Sequence, residues 1–214
     1  MEAARKPTID GASSGCTAAQ AQKLHDAYAV AAAVARSASK YTQQLALRCA
    51  RGQNLAWHDG PAPRFFGDFR ADKVRKIVNV FSGVETRFRE GFVDSTSIEA
   101  PRIECFGRDH GRCRQGLLAN ASIFGTIRVC PSLLERSTRE VALVLLHEML
   151  HQGLGVGDRR HPVCRSGKKR DMRCYREGAV RLVEEGRSDL ALQNNDNYVG
   201  FALALANIPG EAPV

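Results

Sequence analysis

The sequence contains no apolar run close to the roughly 20 residues that a membrane-spanning helix requires. Residues 1–7 also lack the apolar core of a signal peptide, so we expect either a start trimmed for expression or export by another route. Internal repeats, low-complexity tracts and long flexible linkers are absent as well. We therefore expect no membrane association. We also expect a single domain over residues 1–214, in which residues 1–15 are flexible. The length of the chain is compatible with two lobes around a cleft.

Cys-x-x-Cys pairs are missing, although the chain has seven cysteines spread along its length. Grouped cysteines are typical of thiolate metal sites, whereas scattered cysteines in this number favour disulfides. Disulfides persist in oxidising compartments, so we expect a protein that is secreted or otherwise exported to such a compartment. The odd count leaves at least one cysteine free or paired with another chain.

Acidic residues are outnumbered, since 31 Lys and Arg face 23 Asp and Glu and leave a net charge of +8. Residues 159–174 hold seven basic residues against one acid, a composition that predicts an exposed basic loop. Cys164 and Cys174 could tie this loop at its base. It could be a solvated tether or could attract acidic protein surfaces. Aromatic side chains that would stack on bases are scarce beside it, so we expect no nucleic-acid partner.

Two histidines four residues apart, His147 and His151, enclose Glu148 in the pattern His-Glu-x-x-His. On a helix this spacing projects both imidazoles from one face, where they can hold one zinc ion while the glutamate works on the metal's water. Residues 137–140 have the Ser-x-x-Glu form of a capping box, and the apolar run 141–146 follows directly. The pattern therefore predicts a buried helix that carries the motif.

Glycines at positions 153, 155 and 157 predict that this helix ends near Gln152. A core helix with two hydrogen-bonded histidines is the alternative, but buried polar groups need partners and a metal supplies one. A catalytic zinc keeps three protein ligands and one open position, so a third side chain must reach the metal. The downstream candidates are Asp158, His161, Glu177, Glu184, Glu185 and Asp196.

The rest of the chain predicts an α+β fold that is predominantly helical, with a small antiparallel sheet and a central His-Glu-x-x-His helix. Alternating stretches at 102–106 and 126–130 predict the antiparallel strands. Residues 54–67 hold Trp57 and two phenylalanines, which favours a connector packed into the core. Helical spacing predicts further helices at 17–47, 68–89, 177–186, 190–193 and 194–205.

Two segments after the motif give the sequence a resemblance to the aspzincins, the family of deuterolysin and the peptidyl-Lys metalloendopeptidases. Residues 155–158, Gly-Val-Gly-Asp, are similar to the first half of the family's Gly-Thr-x-Asp-x-x-Tyr-Gly segment. Residues 194–201 are similar to its Asn-x-Asp-x-[Tyr/His]-x-x-Phe segment. The resemblance implies a zincin-like fold, one Zn²⁺ ion and the activity of a zinc metalloendopeptidase on proteins or peptides. We expect the protein to be a monomer.

The resemblance also implies the roles of the site residues. His147, His151 and Asp158 would hold the zinc, and Glu148 would act as general base on the water and pass the proton to the leaving amine. In the alternative seen in other zincins, the third ligand is a glutamate on a second helix, for which Glu177 or Glu184 would qualify.

The family tyrosine is displaced in this sequence, because residues 159–162 do not supply it in the expected place. Counting back from Asn194 without gaps places the tyrosine at Tyr175, which makes residues 159–174 an insertion closed by a Cys164–Cys174 disulfide. Otherwise His161 takes the tyrosine position. Either side chain could donate a hydrogen bond to the oxyanion. By the same comparison Cys16 would pair with Cys105 and Cys113 with Cys130, with Cys49 left over.

Substrate choice follows from the last segment. Lys-specific members of the family are taken to use an acid at the position of Asp196 and another three residues later, where this chain has Val199. Asp196, Tyr198 and Val199 would line the pocket, with a preference for Lys or Arg after the cut but no strict lysine specificity. Asp196 could instead cap the last helix.

Two functions of a different class are the alternatives to a peptidase. One is a catalytically inactive zincin-fold binding module, and the other is a basic nucleic-acid-binding protein with a structural zinc.

Overall fold

The computed structural model describes residues 7–9, 15–90, 92–93, 98–99, 101–107, 110–122, 125–152, 154–165 and 172–206. The chain divides into two compact units, residues 1–33 with 84–153 and residues 34–83 with 154–214. The secondary structure confirms the predicted α+β class with helix predominant. No helix in these described ranges is long and apolar enough to cross a membrane. The single-domain assignment stays a prediction.

Every predicted helix is present, with boundaries that shift by three residues or fewer, and the structure adds four short helices that were not predicted. In chain order they are α1 (Ala18–Ala50), α2 (Leu55–His58), α3 (Ala62–Phe66), α4 (Ala71–Glu90), α5 (Gly111–Arg114), α6 (Pro131–Leu134), α7 (Thr138–Leu150), α8 (Glu177–Glu184), α9 (Ser188–Ala191) and α10 (Asn195–Ala206), with a 3₁₀ turn at Pro162–Cys164. The strands are β1 (Phe92–Val93), β2 (Ile98–Glu99), β3 (Arg102–Cys105), β4 (Ala119–Ala121) and β5 (Thr126–Val129).

The sheet of the first unit is mixed, so the predicted antiparallel pairing is wrong for its two longest strands. β5 lies between β3 and β4, parallel to β3 and antiparallel to β4. After β3 the chain passes through α5 to the outer strand β4 and returns into the central position. The alternation of buried residues is the same for either strand direction, so sequence could not distinguish them. A separate antiparallel pair joins β1 and β2.

Residues 7–9 lie beside β3, and the flexibility expected of residues 1–15 stays a prediction. The Thr8 N–H donates to Pro101 O at 3.0 Å, and the Ile103 N–H donates to Thr8 O at 3.1 Å. Pro7 and Ile9 are buried. This segment therefore lies along β3 because its apolar side chains are covered and its backbone groups are paired. Residues 1–6 and 10–14 lie outside the described ranges.

Helix α7 begins and ends as the sequence predicts. Ser137 is its N-cap and forms a complete capping box with Glu140. The helix packs against β4 and β5, and Val141 and Leu145 are fully buried. At its end, the Gln152 side chain donates to Ser122 O at 2.8 Å. Of the three glycines expected to end the helix, Gly153 lies outside the described residues.

The core of the second unit is aromatic, which confirms the packed connector. Trp57 is fully buried and its indole N–H donates to Gly67 O at 2.9 Å. Phe66 packs against Tyr198 and Phe201, with ring centroids 5.0 Å and 5.4 Å apart. The connector thus contributes to the core rather than to a binding surface.

Two buried asparagines organise the second unit. The Asn194 side chain accepts from the Arg159 N–H at 3.1 Å and donates to Cys174 O and to the Asn197 side chain, both at 2.8 Å. Asn197 donates in turn to two backbone carbonyls, Phe65 O and Ala179 O. Both side chains are at most 1% exposed, so each bond replaces water that cannot enter. This network joins both ends of the basic loop to α10.

Three disulfides confirm the expected pairing. Cys16 bonds to Cys105, Cys113 to Cys130 and Cys164 to Cys174, while Cys49 forms no disulfide with any other cysteine of the described chain. Disulfides in this number indicate an oxidising compartment. The third one closes the basic loop, of which residues 166–171 are outside the described ranges.

Replacing Asn194 by Ala should lower the free energy of unfolding by about 3 kcal/mol, because buried partners lose their hydrogen bonds without gaining water. Urea denaturation in the presence of a chelator measures this without a contribution from bound metal. The exposed neighbour variant Gln193→Ala should stay within about 0.5 kcal/mol of the parent. An Asn194→Ala midpoint equal to that of the parent would contradict the proposed role.

Candidate metal centre

Helix α7 presents the three polar groups of the motif at its C-terminal end. His147 lies in the last turn and His151 is the C-cap, still in right-handed helical conformation. The two rings are therefore neighbours, with centroids 5.0 Å apart. Both histidines are half-buried, whereas Glu148 is 6% exposed. The apolar body of the helix thus places two nitrogen ligands and a buried carboxyl beside each other.

The position of Asp158 is set by the backbone on either side of it. Gly155 has a φ of 68°, in the left-handed region that favours glycine, and it turns the chain after α7. Gly157 then pairs with residues of the segment before α10: its N–H donates to Gln193 O at 2.9 Å, and its carbonyl accepts from the Asn195 N–H at 3.2 Å. The residue after Asp158, Arg159, is held by Asn194. Hydrogen bonds of the residues on both sides therefore hold the backbone of Asp158 in place.

Three potential ligands come together in the structure. One ligand atom each of His147, His151 and Asp158 lies within 4.8 Å of the others. Two imidazole nitrogens and one carboxylate oxygen match the donor set of a catalytic zinc with an open position, so these residues fit one Zn²⁺ ion. Across the described residues, the other candidates do not join this group: His161, Glu177, Glu184, Glu185 and Asp196.

Tyr175 contacts the candidate ligand Asp158. Its hydroxyl donates to Asp158 Oδ2 at 2.7 Å and accepts from the Arg173 guanidinium at 3.2 Å. Burial, together with the Asp158 carboxylate, raises the pKa of the Tyr175 phenol, and Arg173 offsets part of that effect. The phenol is therefore a protonated donor at neutral pH. The Cys164–Cys174 disulfide lies immediately before it and ties off the loop.

His161, the alternative to Tyr175, has a different role in the structure. Its Nδ1 accepts from the Val163 N–H at 3.3 Å and caps the 3₁₀ turn. The His161 N–H donates to Met172 O at 2.9 Å. The imidazole thus serves the local turn of the basic loop.

Asp196 holds the start of α8. Its Oδ2 accepts from the Arg176 N–H at 2.6 Å, and Arg176 is the N-cap of that helix. Arg176 has a φ of 48°, the only positive value among non-glycine residues of the described chain. A strained backbone of this kind persists where its surroundings fix it, and Asp196 supplies one such contact. This contact joins the first turn of α10 to the start of α8.

Tyr198 belongs to the core, which corrects its assignment to the substrate pocket. It is fully buried, packs against Phe66 and Phe81, and donates its hydroxyl to Leu192 O at 3.0 Å. Helical geometry explains the difference, because successive residues of α10 point in different directions. Val199 is half-buried.

Three residues that position the site were given no positioning role in the sequence analysis. Asn194 and Asn197 connect the segment of Asp158 to α10, and Arg173 contacts Tyr175. The signal for the asparagines was available, since amides beside an apolar helix must find partners if they are buried. For Arg173, one basic residue among seven, the sequence carries no distinguishing signal.

No family model matches the sequence, and no curated protein matches it. Among solved structures, the fold is similar to that of a zinc peptidase from Grifola frondosa. The identity is 19%, the match covers 82% of this chain and 93% of that one, and the TM-score is 0.48. The function proposed below rests on the residues of this chain.

Proposed function

We propose that the protein is a zinc metalloendopeptidase of the aspzincin type, exported to an oxidising compartment and acting on proteins or peptides. The observation that carries this proposal is the grouping of His147, His151 and Asp158, with Glu148 between the two histidines on α7. A structural zinc site is closed by a fourth protein ligand. In the described chain the group has three, which supports a catalytic site.

Glu148 is proposed to be the general base. When bound, zinc polarises the scissile carbonyl and lowers the pKa of a coordinated water towards about 7. The Glu148 carboxylate accepts a proton from the attacking water and later passes it to the leaving amine.

Tyr175 is proposed to hold Asp158 and to assist at the oxyanion. In this structure its single hydroxyl proton is donated to Asp158, which orients the carboxylate as outer-shell partners of metal ligands do. Arg173 fixes the phenol from the other side. When the substrate carbonyl develops negative charge, the same hydroxyl can be redirected to it.

A preference for Lys or Arg after the cut would rest on Asp196. One of its oxygens already accepts from the Arg176 backbone. With Val199 three residues later, the pocket has one carboxylate rather than two. We therefore propose a moderate preference for basic residues at that position.

Replacing Glu148 by Gln should keep zinc bound and reduce peptide hydrolysis by at least about a hundredfold, because the amide cannot accept the proton. Cleavage of a mixed peptide library by the zinc-loaded protein, read by mass spectrometry, tests the activity itself. Glu185→Gln, a change at an exposed position of the C-cap of α8, is the matched control and should leave the rate unchanged. Near-full activity of Glu148→Gln would exclude its role.

Replacing Asp158 by Ala should weaken zinc binding by more than about a hundredfold, since loss of an outer-shell partner alone costs 10–100-fold. Competition against a chromophoric chelator measures the affinity. Asp189→Ala removes an exposed carboxylate of the same unit and should bind zinc as the parent does. An unchanged zinc affinity of Asp158→Ala would show that another acid is the third ligand.

Replacing Tyr175 by Phe should weaken zinc binding about tenfold, because Asp158 loses the hydroxyl that orients it. The chelator competition again measures this, with Tyr28→Phe as a control for the loss of a tyrosine hydroxyl in the other unit. Parent-like zinc affinity in Tyr175→Phe would show that the Asp158 contact has no influence on the metal. The rate at saturating zinc then reports the oxyanion contribution separately.

A further inference from the structure

The two ends of the basic loop form a short antiparallel ribbon. The Cys174 N–H donates to Arg159 O at 2.8 Å, and the His161 N–H donates to Met172 O at 2.9 Å. These bonds flank the pair Arg160 and Arg173, which face each other directly. The Cys164–Cys174 disulfide closes the ribbon and packs with Leu182 and Ala191. The ribbon is therefore held rigidly at its base.

The facing pair consists of two like charges. In this bonding pattern the two residues are a non-hydrogen-bonded pair, whose Cα atoms lie about 4.5 Å apart and whose side chains share one face. Like charges directly opposite each other destabilise a ribbon. Arg160 is exposed, and no carboxylate of the described chain forms an ion pair with it. A bound anion would relieve the repulsion.

The pair lies close to the candidate metal ligand Asp158. The Arg173 guanidinium donates to the Tyr175 hydroxyl, which donates to Asp158. Two hydrogen bonds thus separate Arg173 from a carboxylate of the metal centre. An extended peptide advances about 3.3 Å per residue, so this spacing corresponds to about two residues of a substrate.

We propose that Arg160 and Arg173 form a carboxylate-binding subsite that selects substrates with Asp or Glu within about two residues of the scissile bond. This inference rests on the proposed peptidase function and names its substrate class. A guanidinium binds a carboxylate through two parallel N–H donors, and two guanidinium groups on one face of a rigid ribbon can share one carboxylate. Any preference for a basic residue after the cut, set by Asp196, concerns a different position of the substrate.

The test uses two matched peptide libraries that differ only in having Glu or Gln at the same positions. Binding is measured on the zinc-loaded Glu148→Gln protein, and cleavage on the zinc-loaded parent. We expect the Glu library to bind about tenfold more tightly, the value of one charge-assisted hydrogen bond. In the Arg160→Gln background the ratio should fall towards one. Arg160→Lys, which keeps the charge but not the planar fork, should give an intermediate ratio.

Arg165→Gln is the matched control, because it removes the same charge from an exposed position of the same loop outside the ribbon pair. It should leave the ratio unchanged. Equal binding of both libraries, or an equal loss in Arg165→Gln and Arg160→Gln, would overturn the subsite and assign any acidic preference to the net charge. A preserved binding ratio without cleavage by the parent would support the subsite and refute the peptidase function.

Discussion

The backbone pairing of Gly157 with the segment before α10, reinforced by the Asn194 side chain, is the constraint on which the second half of the site depends. Asp158 lies between Gly157 and Arg159, and both neighbours are bonded to residues 193–195. The same amide of Asn194 holds Cys174, the residue before Tyr175. The Asn194 side chain is buried, so water does not readily replace its bonds, and this one side chain holds both ends of the basic loop and the residue after the candidate ligand.

Helix α7 contributes its half of the site in a simpler way. Its capping box sets where the helix starts, its apolar run fixes its rotation against β4 and β5, and the polar residues 147, 148 and 151 take positions that follow from helical spacing. The basic loop follows Asp158 directly. The disulfide at its base and the Asn194 bonds hold both of its ends. A loop held in this way can acquire a role in substrate selection.

Several features could be predicted because they depend on local patterns. The helices, the motif helix with its cap and the aromatic connector all follow from periodicity and capping chemistry. The direction of β5 relative to β3 could not, because alternation is identical in parallel and antiparallel strands. Tyr198 was misassigned because proximity in sequence to Asp196 does not mean proximity in space on a helix. Tyr175 and Asp158 are 17 positions apart in sequence, on either side of the basic loop, so the sequence could not predict the hydrogen bond between them.

The sequence by itself determined that two imidazoles and a carboxyl share one face of a buried helix, since helical spacing leaves no other arrangement. It also limited the third ligand to a few acids and one histidine downstream. The resemblance to the aspzincins points to Asp158 among them, and the tertiary structure groups this residue with His147 and His151. It likewise joined Asp196 to the start of α8 and set two arginines face to face beside Tyr175. The physical reason is that these choices depend on hydrogen bonds between segments distant in sequence, which no local pattern encodes.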